Sequence, residues 1–252
     1  MSPATGSRPF LLISTRDDPV AAEDEVRGFL LAADLSPDDL VVHALDAAPL
    51  PVDLDLDDYS GILLGGGPFN SSDDPVRKST TQVRVESELA ALLDLLVERD
   101  FPFLGACYGI GTLGVHQGGT VDRTHAEPVG TAHIELTDAG ARDPIAAGLP
   151  RAFEAFVGHK EALSRPPANA VLLATSATCP VQMFRIGRNL YATQFHPELD
   201  GDGLATRIAV YRDAGYFPPE MAGDLTELAR SVDVSWPSLI LRNFVRRYGY
   251  RR

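Results

Sequence analysis

Cys107 lies in Gly105-Ala106-Cys107-Tyr108-Gly109, directly after an apolar run and before a second one, Ile110–Val115. This is G-x-C-x-G, the cysteine counterpart of a nucleophile elbow. A sharp strand-to-helix turn crowds the backbone, so its flanking positions must carry little or no side chain. The helix that follows aims its free N–H groups at the sulfur and favours thiolate. The competing reading is a buried core cysteine, the usual fate of a free thiol; the spacing favours catalysis. A thiol also needs a base. His196 lies in Gln194-Phe195-His196-Pro197-Glu198. Residues two apart in an extended segment project to the same side. Glu198 can then accept from the imidazole and fix its orientation, while the other ring nitrogen meets the thiol. Taken alone, His-Pro-Glu is a weak signal. Paired with the elbow it becomes a Cys107–His196–Glu198 triad.

A third element is Gly65-Gly66-Gly67-Pro68-Phe69-Asn70. Glycines after a strand let backbone N–H groups approach a ligand closely. One of them, with the N–H of Tyr108, would bind the oxygen of a tetrahedral intermediate. A Walker loop is excluded, because no Gly-Lys-Ser/Thr follows; a plain turn stays open. Gly66, Pro68, Gly111 and Phe195 are the candidate substrate contacts. His43 reads as a core residue, His159 as a loop residue near the pocket, and Cys179 as structural. His116, His125 and His133 lack ligand spacing, so no metal is expected.

The elements that must carry these groups alternate. Phe10–Ser14, Val41–Leu45, Ile62–Leu64 and Phe101–Gly105 read as buried strands. Pro19–Ala33 and Thr81–Arg99 have apolar residues at helical spacing, the latter with Val85, Leu89, Leu92, Leu93 and Leu96 in one stripe. This rhythm predicts an α/β fold: a doubly wound, mostly parallel central sheet with helices on both faces. Short runs at His133–Leu136, Phe153–Val157, Val171–Ala174, Val181–Arg185 and Leu190–Gln194 predict a smaller antiparallel extension. From Gly203 the pattern is helical, ending in Trp236–Tyr248. The expected organisation is one domain over 1–252, with its core at about 10–200 and a helical C-terminal elaboration at about 203–252.

Composition sets the class. With 252 residues, 44% hydrophobic and 23% charged, the chain is ordinary for a globular enzyme. Net charge is −13, and residues 17–58 hold 13 Asp or Glu against one Arg, which argues against a nucleic-acid partner. Five arginines, at 242, 246, 247, 251 and 252, fall in the last eleven residues; a solvated helix face with a loose tail is the simpler reading, a docking patch the sharper one. Two cysteines make no disulfide framework. No signal-like N-terminus and no run near the ~18 residues of a membrane span are found. A soluble cytoplasmic protein without membrane association is expected.

A Gly-Gly-Pro loop, a Gly-x-Cys-x-Gly elbow some forty residues on and a strand ending in Gln-Phe-His-Pro-Glu together resemble the class I glutamine amidotransferases, over about Phe10 to Glu198. The stretch from Cys179-Pro180-Val181-Gln182 to His196 resembles the free-standing members related to the glutaminase domain of GMP synthases. So does Gly158-His159-Lys160-Glu161, which sits where that group carries Ser-His-Gly-Asp. The resemblance implies a γ-glutamyl thioester on Cys107, release of ammonia, and oxyanion N–H groups from Gly67 and Tyr108, with no cofactor. Any acceptor chemistry would need a separate synthetase chain. Where the family elbow continues Gly-x-Gln, this chain has Gly109-Ile110-Gly111, leaving no side chain there to fix the amino-acid end of glutamine. Two alternatives therefore stand beside the glutaminase: a free-standing hydrolase or transpeptidase of γ-glutamyl peptides or amines, and a non-catalytic binding module.

Overall fold

The computed structural model describes residues 8–249. The N-terminal heptapeptide and Arg251 and Arg252 of the basic tail lie outside the described residues.

Strand β1 (Phe10–Ser14) and helix α1 (Pro19–Ala33) open the chain, followed by β2 (Leu40–Ala44), β3 (Gly61–Leu64), α2 (Thr80–Glu98), β4 (Phe103–Ala106) and α3 (Tyr108–His116). Asp18 caps α1 by accepting from the N–H groups of Val20 and Ala21, with Pro19 at the first helical position. Ser79 caps α2 through the N–H of Gln82. The second half adds β5 (Thr120–Asp122), β6 (Glu127–Leu136), β7 (Ala152–His159), β8 (Ala162–Arg165), β9 (Val171–Thr175), β10 (Met183–Ile186) and β11 (Leu190–Thr193). Helices α4 (Gly201–Val210), α5 (Ala222–Ser231) and α6 (Ser238–Tyr248) complete it.

Nine strands form one sheet in the order β2-β1-β3-β4-β11-β10-β9-β6-β7. The pairs from β2 through β11 are parallel; those from β11 out to β7 are antiparallel. The expected mostly parallel centre, antiparallel extension and C-terminal helices are all present. β5 and β8, which the sequence pattern does not reveal, form a separate two-stranded sheet. Each is only three or four residues long, too short to show a period.

Alternation along β1 builds both faces. Phe10 and Leu12 join a core with Phe29 of α1 and Phe244 of α6. Leu11 and Ile13 join the opposite core with Val85, Leu89 and Leu92 of α2. A third cluster seats α4 and α5 on Phe156 of β7. The expectation of a core His43 fails: β2 is the sheet edge, Val41 and Val42 are exposed, and His43 is half-buried with Nε2 near the carbonyl of Ala48. An apolar run does not distinguish an edge strand from a central one. At the other end of the chain, Arg246 and Arg247 are exposed on α6.

In this order the chain runs from β1 out to β2 and returns on β1's other side with β3. Ligands of doubly wound sheets bind beyond the carboxyl ends of strands at such a reversal. Four segments leave the parallel strands there: Thr15-Arg16 after β1, the glycine loop after β3, Cys107 after β4 and Gln194–Glu198 after β11.

Candidate active site

Cys107 has φ 53° and ψ −91°, in the left-handed half of backbone space that a non-glycine residue rarely adopts. It is the N-cap of α3, and its N–H donates to the carbonyl of Thr193 on β11 at 2.8 Å. Gly105 is explained by a close approach: a Cβ there would stand 2.8 Å from the Cα of Gly109. The strand and the helix it feeds therefore touch backbone to backbone, whereas a Cβ on Gly109 would meet only Leu64, at 3.5 Å.

Just beyond the neighbouring strand β11, the N–H of His196 donates to the carbonyl of Phe156 at 3.0 Å. Nδ1 of His196 lies 2.7 Å from Oε1 of Glu198, and both residues are buried. Cys107 also bears on the imidazole's charge. Burial opposes a charge on His196, but Glu198 and then Cys107 outweigh it, and its pKa is raised to about 9. Burial likewise opposes the charge on Glu198; the imidazolium and Arg207 reverse this and lower its pKa to about 2. The favoured state is an imidazolium against an ionised Glu198. Cys179 contrasts: it is buried, its Sγ faces the carbonyl of Val181, and burial pushes its pKa up to about 12. That thiol is inert.

The cavity in front of Cys107 holds about 360 Å³ of empty space, part of it open to solvent. Of the candidate oxyanion and substrate residues, Gly67, Tyr108 and Gly111 line it; Gly66, Pro68 and Phe195 do not. Phe195 is a correction. It is fully buried in the core, edge-on to Phe153 at 5.8 Å between ring centres. The bend after β11 brings Gln194 to the cavity and sends Phe195 into the core. Gly66 contributes closeness: a Cβ there would lie 2.7 Å from the Arg16 guanidinium and 3.0 Å from Cε1 of His196. Pro68 is half-buried in the same loop.

The space beside Gly111 is not vacant. A Cβ there would lie 3.1 Å from Oγ of Ser71 and 3.5 Å from Oε1 of Glu161. Glu161 accepts from the N–H groups of Ser71 and Ser72 at 2.6 and 2.8 Å, tying the glycine loop to the segment after β7. His159 sets that segment: Nδ1 lies 2.9 Å from the carbonyl of Glu161 and Nε2 2.8 Å from Oε2 of Glu127, which Gln182 also contacts at 2.8 Å. His159 thus combines the loop role with a place on the cavity wall.

Two groups of residues carry no mark in the sequence. Tyr216, from the turn after α4, lines the cavity; Nζ of Lys160 sits 4.2 Å from its ring centre and donates to the carbonyl of Ala214 at 2.6 Å. Burial and then the charge of Cys107 raise its pKa to about 12. Behind His196 and Glu198, Arg16, Asp24, Glu25 and Arg207 form a buried charged cluster. No motif signals either group. Among the described residues no set of three or more His, Cys, Asp or Glu side chains converges as metal ligands would, and no helix is long and apolar enough to cross a membrane.

Residues 39–208 match the family model described as glutamine amidotransferase class-I. The chain belongs to that family. A GMP synthase (glutamine-hydrolyzing) from Hamiltonella defensa subsp. Acyrthosiphon pisum is 28% identical over 160 residues, covering 60% of this chain and 28% of that protein. The chain therefore aligns with little more than a quarter of that synthase. One subunit of the GMP synthase (glutamine-hydrolyzing) from Thermoplasma acidophilum is 28% identical over 62% of this chain and 73% of its own length. Among solved structures, a glutamine amidotransferase from Thermotoga maritima superposes with a TM-score of 0.73 at 18% identity, covering 97% of this chain and 99% of that one. The structure of SMU.1228c does so with a TM-score of 0.74 at 20% identity over 95% and 99%. At these identities the two structures bear on the fold alone. The class I glutamine amidotransferase fold is thus common to the sequence family and the structural neighbours.

Proposed function

We propose that the chain hydrolyses the side-chain amide of glutamine through a γ-glutamyl thioester and hands the ammonia to a separate acceptor protein. The observation that carries this reading is the convergence of Cys107, at its strained N-cap, with the 2.7 Å His196–Glu198 pair. The thiolate attacks the amide carbon. The N–H groups of Gly67 and Tyr108 take the oxyanion, Tyr108 because it opens α3, where N–H groups lack intrahelical acceptors. The His196 imidazolium gives its proton to the leaving nitrogen, ammonia departs and the thioester remains. Neutral His196 then takes a proton from water, whose hydroxide attacks the thioester; collapse returns the thiol and glutamate. Glu161 on the cavity wall offers a carboxylate to the substrate's α-ammonium. The Thermoplasma relative is named as one subunit of its synthase, which supports a separate acceptor.

A second reading, a hydrolase or transpeptidase of γ-glutamyl amines or peptides, is favoured by one feature. The family match ends at residue 208, and Tyr216, which walls the cavity beside Cys107, lies beyond it. Ammonia and glutamate release should be assayed with glutamine and with a panel of γ-glutamyl amines, beside labelling with a glutamine-like chloroketone. One adduct at Cys107 with glutamine turnover is expected. Labelling that persists in Cys107→Ala, or lands on Cys179, sinks the nucleophile assignment.

A further inference from the structure

Four charged side chains lie behind the triad in the interior. Arg16 Nε donates to Glu25 Oε1 at 2.8 Å, Ser14 Oγ donates to Glu25 Oε2 at 2.7 Å, and Arg16 NH1 reaches the Tyr211 hydroxyl at 3.1 Å. Those contacts are complete. Arg207 of α4 is different. Its NH2 stands 3.8 Å from Oε1 of Glu198 and 3.8 Å from Oε1 of Glu25, and its Nε stands 3.9 Å from Oδ2 of Asp24. None of these is a hydrogen bond. Nε and NH2 of Arg207, Oε2 of Glu198 and Oδ2 of Asp24 are all buried with no partner.

Unpaired buried polar atoms are destabilising. A cation held just outside bonding distance of three carboxylates is a poor brace, yet at this range in a buried site it still exerts a strong field. The cluster also touches the rest of the site. A Cβ on Gly65 would meet the Glu25 carboxylate at 2.5 Å, and one on Gly66 the Arg16 guanidinium at 2.7 Å. On α1, a Cβ at Gly28 would meet the carbonyl of Glu198 at 2.8 Å. The oxyanion loop and the triad carboxylate thus rest on one charged cluster.

We infer that Arg207 is a positioning residue of the triad: it keeps Glu198 ionised and oriented during the step in which His196 has given its proton away. While His196 is an imidazolium, Glu198 has a cation at 2.7 Å. Once the proton passes to the leaving nitrogen, that cation is gone, and Arg207 is the positive charge still facing Glu198. NH2 of Arg207, 3.8 Å from Oε1 of Glu198, needs a shift of about 1 Å to close a hydrogen bond to that carboxylate at that moment. The inference rests on the triad reading above, but part of its test does not need the substrate.

The sign follows from charge. The groups facing the His196–Glu198 pair are Cys107 from α3, Arg16 after β1, Asp24 and Glu25 from α1, and Arg207 and Tyr211 from α4 and its end. Removing a cation from this set raises the proton affinity of every neighbour. In Arg207→Gln, the pH at which Cys107 becomes reactive toward iodoacetamide should rise, by less than the roughly 1–3 units a directly adjacent charge commands, because Arg207 reaches Cys107 through Glu198 and His196. The bell of turnover against pH should move the same way. Arg207→Lys should hold both near the wild type. In Asp24→Asn, which removes an anion beside Arg207, both should move to lower pH; this variant decides the matter if Arg207→Gln does not fold. Loss of thermal stability in Arg207→Gln without movement of the alkylation midpoint would overturn the inference and leave a structural brace. An unmoved midpoint in Asp24→Asn overturns it equally. If the wild type turns over no γ-glutamyl compound but the alkylation midpoints move as stated, the functional reading fails and Arg207's role stands.

Discussion

Replacing Glu198 by Gln removes one charge from a buried pair while keeping its shape. His196 is carried from its ordinary 6.5 to about 9, although burial pulls the other way, and Glu198 is the foremost cause of the rise. At about 1.36 kcal/mol per unit, the net preference for the imidazolium is about 3 kcal/mol. Without the carboxylate's charge, burial acts alone against the imidazolium apart from what Cys107 contributes. The basic limb of kcat/KM, set by loss of the imidazolium that protonates the leaving nitrogen, should fall from about 9 by roughly two units. The amide can also hold the ring in the wrong tautomer, so kcat should drop on the order of 10²–10⁴. Stability gives an independent readout. Glu198 is lowered from 4.5 to about 2, so its contribution is present in full above about 4.5 and lost as pH falls through about 2. The melting-temperature gap between wild type and Glu198→Gln should be open at pH 5–6 and close toward pH 2. The raised pKa of His196 acts the other way: its contribution is present in full below about 6.5 and lost as pH rises through about 9. Ammonia release between pH 5 and 10 is the assay. A basic limb within half a unit of the wild type, at wild-type rate, refutes the coupling.

Gly105→Ala places a Cβ 2.8 Å from the Cα of Gly109; backbone cannot yield cheaply, and a loss of about 1–3 kcal/mol in denaturant unfolding, with a slowed Cys107 labelling rate, is expected. Glu161→Gln keeps the size but weakens the two N–H contacts from Ser71 and Ser72 and removes the charge offered to an α-ammonium; KM for glutamine should rise roughly ten- to a hundredfold with a smaller change in kcat. An unchanged KM would show that the carboxylate only ties the loop. Tyr216→Ala should open the cavity beside Cys107 and raise kcat/KM for a γ-glutamyl anilide relative to glutamine about tenfold, while Tyr216→Phe should not; equal ratios in all three proteins would remove Tyr216 from specificity.

The parallel half of the fold is legible in the sequence because β1, β3 and β4 are buried on both faces and α2 carries a clean stripe. Val85, Leu89, Leu92 and Leu93 of α2 lie in one core, and the helix begins and ends within a residue of its expected bounds. The candidate nucleophile and its candidate base are legible because their geometry is local. A cysteine pinned between two glycines that touch, and a histidine two residues from its carboxylate, leave marks in adjacent letters. Phe195 misleads for the same reason: adjacency to His196 suggests the cavity, whereas the bend after β11 sends Phe195 into the core. The surroundings of Gly111 are not legible, because its neighbour in space, Glu161, is fifty residues away and reaches it only through the return of β7.

The buried cluster is invisible for a deeper reason. Asp24 and Glu25 sit in the most acidic stretch of the chain, where an isolated reading assigns every carboxylate to water. They lie on the inner side of α1, 8% exposed and fully buried respectively, because Arg16 and Arg207 arrive from elements on either side. Charge can enter an interior only in compensated sets, and a set drawn from β1, α1 and α4 has no signature in sequence spacing. The two visible motifs account for how a thioester would form. What would keep their carboxylate charged while protons move is Arg207, itself held in the interior by Asp24 and Glu25, and this becomes readable only once the sheet has brought the strand ends together.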